Sequence, residues 1–380
     1  MSEKSLQSTF SVDDSPPFRL YGSLWLLLTA SLLVELLAPT AFRALFVRLD
    51  ATLGGQVIGA LLYTALLLAL LGSVGGLLLL WSDIETPTAD GLVSATGAVT
   101  LLSLVVTYWL HRRLDLPDVP WDIIELLLVA GIGMVGLGVG YARATDTTLH
   151  LERPDAAESR VAVLAVGATT LLGVAVVVLY GLRTDPMFAP VGGIGFAPRL
   201  DVATVLFDVG LPSLVTGVGM GVLYFGVIQE SLLGSEGPAS AIAAVTALLG
   251  GSATAITVLR LVRALSNQLL TAVTVARLSV VLALVAPRLV AVLEAALEGP
   301  APPLVGAVVG TLTIGVLLAV TALGPGTLAF ALSGLSLTLA AAIAAVAYER
   351  TRSVWVAAAG VATFLIAVNP VIVQYFAQFV

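Results

Sequence analysis

The sequence predicts an all-α protein, a polytopic bundle of about ten or eleven transmembrane helices, and three observations carry that prediction. Mean hydropathy is +1.05, with 58% of residues apolar and 11% charged, more apolar surface than a soluble chain of this length can bury. The apolar residues gather in runs of the roughly 20 residues that span hydrocarbon. Each run is continuous rather than alternating, which argues against strands and leaves helices to satisfy the backbone in lipid.

In chain order the runs fall at about 20–38, 53–81, 91–110, 122–142, 161–182, 202–229, 239–262, 265–296, 302–323, 327–348 and 353–379. Residues 1–19 form a polar tail in which Glu3, Asp13 and Asp14 stand against Lys4 and Arg19. That is the wrong charge for a signal peptide, and no small-x-small site follows the first run, so the first helix is expected to be retained. Residues 20–200 form an N-terminal group of helices and 201–380 a C-terminal bundle. The connectors 143–160 and 183–201 are too short for soluble domains. The second repeats Phe-Ala-Pro at 188–190 and 196–198 around Gly192, Gly193 and Gly195, the composition of a turn-rich link.

Charge placement sets an expected topology. Arg43 and Arg48, Arg112 and Arg113, Arg183 and Arg199, and Arg260 and Arg263 fall in alternate connectors, while 82–90 and 230–238 carry no basic residue. The positive-inside rule then places the N-terminus outside. Two segments break the alternation: 143–160, with Arg143, Arg153 and Arg160, and the polar turn bearing Arg350 and Arg352. A re-entrant or surface-lying run 265–296, which carries Arg277 and Arg288, would return that turn to the cytoplasmic side. At 100° per residue, Arg260, Arg263, Asn267, Thr274, Arg277 and Arg288 share about a third of a helix circumference. This stripe reads either as an anion or lipid-headgroup contact lining a cavity, or as an interfacial helix with snorkelling arginines.

Other chemistry is sparse. There is no cysteine, and the two histidines, His111 and His150, lie in connectors. Disulfides and a histidine-built metal site are therefore not expected, nor is any cofactor. A net charge of −7 argues against nucleic acid as a partner. An acidic chain with a single lysine has the composition of a salt-loving organism, such as a halophilic archaeon. Gly131-Ile132-Gly133-Met134-Val135-Gly136 matches a dinucleotide fingerprint but sits in an apolar helix without a preceding strand. Gly136 with Gly140, and Gly217, Gly219 and Gly221, read instead as sites of close helix approach. The ionisable residues in or at the ends of runs are Glu35, Glu125, Asp208, Glu230 and Glu294, and Glu35 and Asp208 are the deepest. Asn369-Pro370 is expected to break the last helix.

One stretch is more specific. Tyr348-Glu349-Arg350-Thr351-x-Ser353-x-Trp355 resembles the polar turn before the last motif helix of the CPBP family, the intramembrane CAAX prenyl endopeptidases and bacteriocin-processing relatives. There the turn reads roughly Y-x-R-T-G-S-x-W, and the next helix carries a His and, four residues on, an Asn. Upstream lie a Phe-x-x-x-His helix and a Glu-Glu-x-x-x-Arg helix, whose acids and imidazoles activate water against a peptide bond. Carried onto this chain, the His and Asn places fall on Val361 and Leu365, and the middle motif on Leu318 and Ala322. The first motif falls on Ala283, Leu284 and Arg288. A second register, over GMGVLYFGVIQESL, places Met220 and Gly221 on the acids and Phe225 on the arginine, at a sequence distance from Val361 that looks too long. In both registers the proton-handling places are apolar.

The resemblance therefore implies an intramembrane scaffold without its catalytic groups, with no catalytic residue. It leaves a binding or scaffolding role for lipid, a lipidated peptide or a membrane partner, in a multi-pass protein of the cell membrane. Two alternatives stay open. One is a small-solute or ion permease built on the arginine stripe with Glu35 and Asp208. The other is a hydrolase with relocated residues, for which Glu294 and Glu298 on one helix face are the nearest acids.

Overall fold

The computed structural model describes residues 20–36, 126–152, 154–183, 205–261, 268–321, 327–369 and 372. Among these there are nine helices and no strand. They are α1 (Leu20–Leu36); α2, π-helical over Leu127–Gly136 and α-helical over Leu137–Thr145; and α3 (Ala156–Arg183). Next comes α4, which alternates π over Val205–Gly210, α over Leu211–Met220, π over Gly221–Gln229 and α over Glu230–Glu236. The rest are α5 (Pro238–Leu261), α6 (Gln268–Leu297), α7 (Pro303–Thr321), α8 (Thr327–Thr351) and α9 (Val354–Ala367). Four are long and apolar enough to cross a membrane: Ala156–Leu179, Leu211–Glu236, Pro238–Ile256 and Leu269–Leu297. The all-α, membrane-type architecture thus holds in the described residues.

Small residues decide how closely the helices approach. The apolar window of α5 is 89% buried against 22% for α3, so α5 is the centre of the C-terminal bundle and α3 lies at its edge. Ser252 of α5 meets Ser279 of α6 at 3.1 Å, and Ala243 and Ala247 share a buried cluster with Ala286 and Val290. The two helices therefore run antiparallel along their length. On the next side a Cβ on Gly310 of α7 would sit 2.8 Å from the Ala243 carbonyl, and one on Gly306 would strike that of Ala239. Backbone thus touches backbone, with α7 parallel to α5. Gly250 faces Thr338, and Gly334 faces Thr254, which sets α8 antiparallel. Such contacts replace the hydrophobic driving force that lipid does not supply between helices.

A second sheaf joins α4, α9 and α3. Cβ atoms built on Gly217 and Gly221 would lie 2.7 and 2.8 Å from the Cβ atoms of Ala362 and Ala358 on α9. Thr169 of α3 and Thr363 of α9 are hydrogen-bonded at 3.0 Å. On α2 the close contacts are made by Gly133, against Val34 of α1, and Gly138, against Val222 of α4. The expected pair Gly136 and Gly140 makes none: Gly140 has open space and Gly136 faces only its own helix. Gly136 and Gly140 are both exposed, so this pair lies on the outer side of α2 while Gly133 and Gly138 are buried. The G-x-G-x-x-G run lies within that helix.

The continuous 30-residue α6, antiparallel to α5, corrects the expectation that run 265–296 enters and leaves by one face. Its single Pro287 lies within an unbroken helix. The four turns at 146–155, Gly237, 298–302 and 352–353 therefore gather at one end of the bundle. Gly237 supplies the tight reversal from α4 to α5 with φ +79°, a conformation that glycine adopts without Cβ strain. Helix α9 ends at Ala367, just ahead of Asn369, so the last run is broken where it was expected to be.

Candidate functional site

The polar turn builds a hub at that end. Helix α8 runs out at Thr351, and Arg352 adopts φ +49°, the left-handed cap that glycine usually fills at a helix C-terminus. Its N–H donates to the Tyr348 carbonyl at 2.6 Å, closing the last turn. This conformation sends the Arg352 guanidinium onto Glu230 of α4, whose Oε2 and Oε1 accept from Nη1 at 2.9 and 3.1 Å. The Tyr348 hydroxyl donates to Oε2 at 3.0 Å. His150 Nε2 lies 3.6 Å from Oε1. Gln229, one residue before, is fully buried and donates from Nε2 to the Ala345 carbonyl at 2.9 Å. Adjacent residues of α4 thus grip α8 through two different atoms.

The α2–α3 connector is tied to the same hub. Val354 N–H donates to the His150 carbonyl at 3.1 Å, and Trp355 Nε1 to the Leu151 carbonyl at 2.7 Å. Thr147 and Ser231 hydroxyls meet at 3.3 Å. The connector ends in a capping box: Asp155 Oδ1 accepts from the N–H groups of Ala157 and Glu158 at 2.7 Å each, and Glu158 Oε2 accepts from Asp155 N–H at 2.8 Å. The two segments that broke the charge alternation therefore belong together in space, beside the arginine-free turn at 230–238. Replacing Trp355 by phenylalanine keeps the ring and removes one hydrogen bond worth about 1 kcal/mol. Endoproteinase Glu-C is then expected to cut after the exposed Glu152 faster than in the parent chain. An unchanged cleavage rate would remove Trp355 as the tether.

Glu230 is held as a shared acceptor. Both oxygens already accept charge-assisted or neutral hydrogen bonds, and His150 stands beyond hydrogen-bond length. The acids of the relocated-hydrolase alternative lie at the α6–α7 turn. Glu294 Oε1 accepts the Ala301 N–H at 3.0 Å and closes the α6–α7 turn. Glu298 is the exposed left-handed cap of α6, with φ +54°. The nearby histidine that hydrolysis needs is placed with Glu230 instead.

The motif-equivalent places are packed. Val361 is fully buried, Ala283 is 3% exposed, and both join the main apolar core, with Leu284 and Leu365 packed against it. Helix α6 lies against α5 and α7, whereas α9 lies against α3, α4 and α8. The first register therefore does not set Ala283 beside Val361. The second does bring its places together, since Gly221 touches Ala358, one turn from Val361. Ala322 lies outside the described residues.

Of the arginine stripe, Arg277 and Arg288 are exposed on α6 among the exposed Val281, Val285, Leu289 and Val292. These two side chains are exposed rather than buried in the bundle. The side chain of Arg260 and all of Arg263 and Asn267 lie outside the described residues, as do the Asp208 side chain, Glu125, His111 and the 188–198 repeat. Glu35 lies half-buried in the last turn of α1 and has a partner. The hub itself escaped the sequence reading. Glu230 stood out only as an acid at the end of a run, and nothing local tied it to a residue more than a hundred positions away. Comparison with family models, with characterised proteins and with solved structures finds no match.

Proposed function

We propose that this chain is a multi-pass protein of the cell membrane whose C-terminal half, 201–380, keeps a CPBP-like scaffold without peptidase chemistry. It works by binding or scaffolding lipid, a lipidated peptide or a membrane partner. The observation that supports this reading most is the closed contact between Gly217 and Gly221 of α4 and Ala358 and Ala362 of α9. The hydrolysis that the resemblance implies uses a carboxylate, an imidazole and a water between two such helices. Here hypothetical Cβ atoms would already overlap their neighbours, so neither those side chains nor a water fits. The resembling turn has then a mechanical task, tying α4, α8, α9 and the α2–α3 connector at one membrane face. Arg352 stands where the family turn has glycine, and its guanidinium is the group that reaches Glu230.

The purified full chain, in detergent and after reconstitution, is expected to leave a fluorogenic prenylated peptide uncut, at the rate of a heat-inactivated control. Cleavage by the parent chain that disappears in Glu230→Gln would overturn the proposal, because it would make the hub a catalytic centre.

A further inference from the structure

We infer that Arg277 holds the headgroup phosphate of an anionic phospholipid, in the leaflet at the end of the bundle where α6 begins. This rests on the membrane-embedded reading above and adds a ligand to it. Helix α6 has 30 residues, about 45 Å at 1.5 Å per residue, against about 30 Å of hydrocarbon. With the helix centred, Arg277 lies about 8 Å from the midplane. That leaves about 7 Å to the interface, within the span of an extended arginine. The Cβ of a helical residue points toward the helix N-terminus. For Arg277, in the N-terminal half of α6, that direction is toward the nearer headgroups.

The surroundings supply no other answer to the charge. Arg277 is exposed, and on its face the described neighbours are the exposed Thr274, Val281 and Val285. The Thr274 hydroxyl is engaged with the Leu270 carbonyl at 2.7 Å. Among the described residues no carboxylate pairs with Arg277. A guanidinium at bilayer depth costs about 2.5–3.5 kcal/mol on insertion scales, and a phosphate accepting two parallel N–H bonds offsets that cost.

Arg288 makes the contrast. It shares the face of α6 but lies in the C-terminal half, where the Cβ direction leads back toward the midplane. Its Nη1 turns to the Leu284 carbonyl at 3.4 Å. It is answered within its own helix, while Arg277 reaches outward. The end to which Arg277 points also holds the last turn of α5. The positive charge of the guanidinium favours an anionic headgroup over a zwitterionic one.

Native mass spectrometry of the full chain in detergent, titrated with phosphatidylglycerol or phosphatidylcholine, tests the assignment. The parent chain is expected to retain one phosphatidylglycerol in preference to phosphatidylcholine. Arg277→Gln should weaken that binding about tenfold, the equivalent of 1.4 kcal/mol. Arg277→Lys should fall between, and Arg288→Gln should match the parent. Inorganic phosphate at the same concentration should not compete. Parent-like binding by Arg277→Gln, or an equal loss in Arg288→Gln, would overturn the site, and competition by free phosphate would overturn its assignment to a lipid. None of these outcomes touches the peptidase assay, so a failed lipid site leaves the silent-scaffold proposal standing on its own test.

Discussion

Replacing Glu230 by alanine is expected to lower the unfolding free energy by about 2–3 kcal/mol, the worth of hydrogen bonds to a charged group, discounted for the half-exposed arginine. The carboxylate is the shared acceptor for Tyr348 and Arg352, so its loss leaves two donors without a partner at once. Thermal unfolding in detergent, followed by tryptophan fluorescence, reads the effect directly. The arginine variants sharpen the test. Arg352→Ala loses the ion pair and keeps an L-residue at φ +49°, a conformation that costs an ordinary side chain about 1 kcal/mol or more. Arg352→Gly loses the same pair and sheds that strain. The glycine variant should therefore be the more stable of the two by about 1 kcal/mol. The reverse order would mean that the left-handed cap is not what Arg352 supports. In a double-mutant cycle, Glu230→Ala with Arg352→Ala should cost less than the sum of the single changes.

The second large effect is expected at Gly217. A Cβ there would sit 2.7 Å from the Ala362 Cβ, 2.8 Å from the Ala358 carbonyl oxygen and 3.0 Å from the Ala362 Cα. None of these atoms can rotate away, because two belong to backbone and the third is fixed to it. Gly217→Val must therefore push α9 off α4, at a cost of at least the 1–3 kcal/mol typical of overpacked cores. Gly140→Ala is the matched control. Nothing lies within 4 Å of its would-be Cβ, and alanine favours a helix over glycine by up to about 1 kcal/mol. The first variant should unfold well below the parent chain and the second at or above it. Equal midpoints would show that α4 and α9 are not in direct contact.

These expectations differ in how far the amino-acid order anticipates them. The use of Gly217, Gly219 and Gly221 for close packing was legible, since three small residues at alternate places in an apolar run have little other purpose. Gly136 and Gly140 carried the same pattern and yet lie on the exposed side of α2, because spacing shows which residues share a face and not which face meets a neighbour. The second motif register looked improbable on chain distance alone. In space Gly221 is against Ala358, since the intervening helices fold back as a separate sheaf. Chain separation is a poor guide where four long helices pack in alternating directions.

What the sequence determined by itself is the class of molecule. Hydrocarbon demands that each crossing satisfy its own backbone, and apolar runs of this length admit only helices. The emptiness of the motif places is equally a matter of residue identity, since alanine, valine and leucine carry no proton under any fold. Which polar groups meet was decided only by tertiary structure. Glu230, the Tyr348–Arg352 turn and the 150–151 backbone come from three separate stretches, and no local pattern encodes their convergence.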